Sequence, residues 1–180
     1  MSDERAFAEL LVIGVGNPDR ADDAVGPLVA TRLRSEPALA GARVIVRTGD
    51  MLALIDDWDS AEAVVLIDAA APNTRAGQIH RVDVALSAPP AELTLTPSST
   101  STHAFGVVEA IELARTLGRL PARFTLFAIE GGCFEAGGPM TPAVAAAAAA
   151  VTQSVLQEVL ASQGDQLPDG VRAERTELLA

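Results

Sequence analysis

The feature that most constrains this chain is the aliphatic run Leu10 to Val15, which stops at Gly16-Asn17-Pro18 and gives way at once to helical spacing. It reads as a buried strand ending in a turn. From Ala24 to about Leu33 the apolar positions Val25, Leu28, Val29 and Leu33 recur at helical intervals, with Asp22 or Asp23 placed as N-cap. The unit then repeats. Val44 to Val46 and Ala63 to Ile67, the latter ending at Asp68, read as strands, with a short helix from Met51 to about Ile55 between them. The segment Ala69 to Gly77 is too short for a crossover helix, so the strand expected from Gln78 to Val84 should run antiparallel. A loop rich in Ser, Thr and Pro follows to Thr102, then a helix from about Ala104 to Leu117, a strand from Arg123 to Ile129, a Gly-rich loop, and an alanine-rich helix from Pro142 or Ala143 to about Leu160. The expected fold is α/β: a three-layer α/β/α arrangement around a mixed, mostly parallel five-stranded sheet.

A chain of 180 residues and 18.6 kDa suits one domain, residues 1–180, with a core over about 9–161 and a polar C-terminal tail over about 162–180. Mean hydropathy of +0.27 and 49% hydrophobic residues exclude a disordered chain, and the scattered charges argue against a membrane bundle. All 13 basic residues are arginine. Without lysine there is no Walker A loop and no Schiff base, and no G-x-S-x-G elbow is present. One cysteine, Cys133, and two histidines, His80 and His103, cannot build a Cys-rich zinc site or an H-E-x-x-H helix, so any metal site must lean on carboxylates. A net charge of -11 repels a phosphate backbone, so no nucleic acid partner is expected. The acidic N-terminus, the lack of a strongly apolar stretch of spanning length and the lone cysteine point to the cytoplasm, with no membrane.

In an open α/β sheet ligands gather beyond the carboxyl ends of the strands. Those ends deliver Gly14 to Gly26 with Asp22 and Asp23, then Asp68, and finally Thr102-His103 just before a helix. Two carboxylates and an imidazole make a weak, open site for nickel or zinc. Taken singly, each residue has a plainer role: Asp22 or Asp23 as helix cap, Asp68 as an Asx-turn, His103 as a helix start, His80 as a solvated strand residue. A dinucleotide loop at Gly14-x-Gly16 fails because the third glycine position holds Asp19, whose charge repels pyrophosphate. Cys133 in Gly131-Gly132-Cys133-Phe134 could be a nucleophile activated by His103, against the commoner role of a small apolar loop residue.

Together these motifs do more. The strand followed by G-x-G-N, four residues, D-[DE], two residues and G, matched by Gly14 to Gly26, resembles the signature of the hydrogenase maturation proteases. Val65-Leu66-Ile67-Asp68-Ala69, Ser101-Thr102-His103 and Met140-Thr141-Pro142 are similar to further segments of that family, so the resemblance spans most of residues 9 to 160. It implies an endopeptidase that removes a C-terminal extension from the large-subunit precursor of a nickel-iron hydrogenase after metal insertion. It also implies metal ligands at Asp23, Asp68 and His103, with nickel supplied by the precursor. Asp23 or Asp68 acting as general base is an alternative, as are a non-cleaving nickel-dependent checkpoint module and a Cys133 hydrolase. The chain departs from many relatives at Arg47-Thr48-Gly49-Asp50, where an Asp-Gly-Gly type turn is usual and where the family's substrate choice is implicated.

Overall fold

The computed structural model describes residues 10–48, 50, 52–89 and 106–165. Five strands form one sheet in the order β2-β1-β3-β5-β4. They are β1 (Leu10–Val15), β2 (Arg43–Arg47), β3 (Ala63–Ala70), β4 (Ile79–Asp83) and β5 (Arg123–Glu130). The first three and β5 run parallel, and β4 pairs antiparallel with β5, Ile79 opposite Ile129. The helices are α1 (Val25–Arg34), α2 (Ala53–Trp58), α3 (Val107–Thr116) and α4 (Pro142–Asp165).

Strand alternation divides the core into two layers. Leu11, Ile13 and Val15 of β1 and Val64 and Leu66 of β3 face α2 and α3, where Trp58 packs edge-on against Phe124. Val12 of β1 and Val65 and Ile67 of β3 face α1 and α4, meeting Val29, Leu33, Val144, Ala148 and Val151. The three-layer expectation therefore holds, with two α-helices on each face among the described residues. The α1 side is packed close enough to need glycine: a Cβ on Gly26 would collide with the carbonyl oxygens of Val15 and Ile67. At the start of α3 the Glu109 carboxylate accepts the Gly106 N–H at 3.0 Å, placing negative charge at the helix N-terminus.

Four expectations change. Neither Asp22 nor Asp23 caps α1, because a 3-10 turn, Ala21–Ala24, precedes the helix and Ala24 holds the cap position without a side-chain bond. Asp68 lies within β3 rather than after it, since the strand continues to Ala70 by pairing with β5 through Glu130. The last helix extends through Asp165, past its expected end at about Leu160. Its segment Pro142–Ala161, with mean hydropathy 1.4, is also long and apolar enough by composition to cross a membrane. In this fold Val144, Ala147, Ala148, Val151, Val155 and Val159 of that helix are buried in the core. The fourth change concerns His80, which contacts the Glu130 carboxylate rather than solvent alone.

Candidate active site at the carboxyl end of the sheet

The loop after β1 is shaped by Gly16, whose φ of +135° lies in the left-handed region and whose missing Cβ leaves room for the Asp23 carbonyl. A valine or even an alanine there would both strain the backbone and strike Asp23. The turn thus folds back over the strand end, and Asp23 Oδ2 accepts the Asn17 N–H at 3.0 Å. Gly16 also donates its N–H to the Arg47 carbonyl at 3.0 Å, which sets the end of β2 beside this loop. Arg47 is held in turn by Asp57 of α2 at 2.6 Å, and Asp50, with φ of +35°, accepts the Ala53 N–H at the start of that helix. The departure at 47–50 therefore borders the Asp23 loop.

Asp68 shares the facing of Val64 and Leu66, toward the layer in which α3 packs. Its carboxyl is pushed up from the ordinary 3.8 to about 8, first by burial and then by the nearby charge of Asp23, against a smaller opposing effect of the Ala69 amide. Asp23 and Asp68, separated by 45 positions in sequence, are thus brought into electrostatic contact. His103, the third expected ligand, lies outside the described residues. Among the described residues no group of three His, Cys, Asp or Glu side chains is arranged to hold a metal ion.

Two further carboxylates at this end of the sheet have a different character. Asp22 is fully buried and accepts the N–H groups of Gly132 (2.7 Å), Cys133 (2.9 Å) and Thr141 (2.6 Å) and the Thr141 hydroxyl (3.0 Å). Glu130, also fully buried, accepts the N–H groups of Asn73, Thr74 and Arg75, the Thr74 hydroxyl, and His80 Nε2 at 2.7 Å. Burial alone would raise the Glu130 carboxyl, but the His80 contact and these amides outweigh it and hold it at about 2. His80 is consequently a partner of a buried carboxylate, not a solvated strand residue; antiparallel pairing sets it opposite Ala128, within reach of Glu130. Sequence reading passed over Glu130 because it follows a strand as any surface glutamate might. The available signal was a charged residue directly after the apolar stretch Leu126 to Ile129. Cys133 is half-buried, and its main chain is engaged by Asp22 in both directions.

The fold and this end of the sheet define a doubly covered α/β protein with a coupled pair of acidic side chains where α/β enzymes place their chemistry. The profile of the hydrogenase maturation protease family matches residues 48–158, and the chain belongs to that family. It is accordingly a peptide-bond hydrolase, an endopeptidase of hydrogenase maturation. Similar solved structures share the fold. The hydrogenase maturating endopeptidase HybD from E. coli superposes with a TM-score of 0.63 at 21% identity, over 86% of this chain and 93% of that one. A hydrogenase 2 maturation peptidase from a Thaumarchaeota archaeon gives 0.59 at 23% identity, over 84% and 97%. The [NiFe] hydrogenase maturation protease HycI from Thermococcus kodakarensis gives 0.58 at 20%, over 89% and 99%. No curated protein matches the chain.

Proposed function

We propose that this endopeptidase removes a C-terminal extension from the large-subunit precursor of a nickel-iron hydrogenase, and that nickel already seated in the precursor licenses the cut. What supports this reading is the placement of Asp68 at the carboxyl end of the sheet, close enough to Asp23 to feel its charge, so that two carboxyl groups face one another where a cation could join them. Nickel enters as part of the substrate, so Asp23, Asp68 and His103 need only complete its coordination. Two carboxylates and one imidazole, with no thiolate, hold nickel too weakly to keep it in the resting enzyme. In the hydrolysis a water oxygen bonds to the scissile carbonyl carbon, the C–N bond breaks, and the leaving amine takes a proton. The bound metal would polarise the carbonyl or the water.

The raised Asp68 carboxyl also supports a second reading, in which it acts as general acid and Asp23 as base without any metal. The two readings part on one experiment. Purified enzyme is mixed with nickel-loaded precursor or with nickel-free precursor plus chelator, and the loss of mass from the precursor is followed. The nickel reading expects cleavage only of the loaded form, and rapid cleavage of the nickel-free form would overturn it in favour of acid-base chemistry. Binding of loaded precursor without mass loss would indicate the checkpoint role, and loss of cleavage in Cys133→Ser would indicate a cysteine hydrolase. We also infer a single-domain, cytoplasmic enzyme without nucleic-acid or membrane partners, in keeping with the net charge of -11 and the core position of α4.

A further inference from the structure

The segments Gly131-Gly132-Cys133 and Met140-Thr141-Pro142 contribute no side chain to the chemistry proposed above, yet they converge on one buried atom group. We propose that Asp22 is a positioning residue, which locks the loop after β1 to the loop between β5 and α4 and so holds its neighbour Asp23 over the end of β3. This rests on the reading that Asp23 and Asp68 form the site.

The topology makes the clamp necessary. β1 and β5 are not neighbours in the sheet, because β3 runs between them, so ladder pairing cannot fix their two loops to each other. Asp22 does so across the strand that carries Asp68. Its Oδ1 accepts Thr141 N–H, its Oδ2 accepts Gly132 N–H, Cys133 N–H and the Thr141 hydroxyl, and its own N–H donates to the Cys133 carbonyl at 3.0 Å. Two outer contacts reinforce it: Arg20 Nη2 donates to the Phe134 carbonyl at 3.1 Å, and Gly137 N–H to the Asp19 carbonyl at 2.7 Å.

The turn bears a sign of being held from outside. Ala21, immediately before Asp22, has φ of +39°, a region that a residue with a Cβ enters only when its surroundings over-determine it. Asp22 and Asp23 share that one turn, so anchoring the first fixes the main chain of the second. Asp22 itself is fully buried with both oxygens occupied, which leaves it unable to reach substrate. Three of its four donors are backbone amides that cannot rotate away. An asparagine in its place would set one N–H group against another.

The chain's one cysteine sits inside this clamp, so thiol alkylation reports its opening without a label. In Asp22→Asn, with the fold verified by circular dichroism, iodoacetamide should modify Cys133 about tenfold faster, as expected for losing a charged hydrogen-bond acceptor. The kcat for nickel-loaded precursor should fall about 100-fold, the scale of a misplaced reacting group, with KM within about twofold because Asp22 does not touch substrate. Thr141→Val removes one bond and should give a kcat loss of about fivefold, which Thr141→Ser restores. These variants carry the test if Asp22→Asn does not fold. Unchanged kcat per folded molecule in Asp22→Asn, an unchanged alkylation rate, or Thr141→Val indistinguishable from the parent would each overturn the proposal. Asp23→Ala assayed alongside separates the two ideas: full activity there removes the site, whereas the alkylation rates still judge the clamp.

Discussion

Four carboxylates gather at the carboxyl end of this sheet, and they fall into two pairs with opposite treatment. Asp22 and Glu130 are fully buried and surrounded by donors, and for Glu130 the His80 contact and then the backbone amides of Thr74, Arg75 and Asn73 hold the carboxyl at about 2 against burial. Asp68 has fewer donors around it, and burial first and the charge of Asp23 second drive its carboxyl up to about 8. One pair is surrounded by donors from the protein, whereas in the other Asp68 is shifted toward its neutral form. The lesson is that burial does not by itself mark a functional acid. The number of donors turned toward a buried carboxylate decides whether its charged or its neutral form is favoured.

The comparison would break most visibly in activity. Asp23→Ala, Asp68→Ala and His103→Ala should each abolish processing of the precursor while leaving the circular dichroism spectrum that of the parent. Full processing by any two of them would remove the coupled pair from the mechanism.

Glu130→Gln tests the other pair through stability. The substitution leaves an amide nitrogen among fixed N–H donors and forfeits the shift from 4.5 to about 2, a loss of roughly 3 kcal/mol near neutral pH, to be read from urea unfolding. The sign of its pH dependence follows from the lowered carboxyl. Stability contributed by Glu130 is present above about 4.5 and is lost as pH falls toward 2, so the gap between parent and variant should close in acid.

Asp68 should behave in the opposite sense, because its carboxyl is raised. Its favourable contribution is complete below 3.8 and is lost as pH rises through about 8. Asp68→Asn should therefore gain stability relative to the parent as pH increases toward 9, although it loses activity. Carboxyl-carbon NMR of Asp23→Asn should find Asp68 titrating below 8 but still above 3.8, since burial persists when the neighbouring charge is gone. A value unmoved by that substitution would show that the two groups are not coupled.

The smallest effect is expected on the surface, where Arg81 pairs with Glu158 at 2.7 Å with both side chains well exposed. Arg81→Ala should change stability by less than about 1 kcal/mol, and less again at high salt. A larger cost would mean that carboxylate pairing matters here regardless of burial.

The strands, their order of appearance and the antiparallel turn of β4 were legible because aliphatic runs, turn residues and loop length act locally. Gly16 could be recognised as special for the same reason, as it lies between a strand end and a turn that no Cβ could enter. The cap expected at Asp22 or Asp23 failed where tertiary contacts overrode a local preference, since Asp22 gains more from amides more than 100 positions away than from a helix start. His80 was misread for a related reason: its partner is set by cross-strand pairing, which a single strand does not reveal.

By itself, then, the sequence determined the α/β alternation, the loops that meet at one end of the sheet and the candidates Asp23 and Asp68. It also determined the family resemblance that names His103. Only the tertiary structure decided which acids are ringed by donors and which is pushed toward its neutral form. A carboxylate's ionisation depends on the donors and charges around it in space, and Gly132, Thr141, Thr74 and His80 reach Asp22 and Glu130 only after the sheet has brought distant loops together.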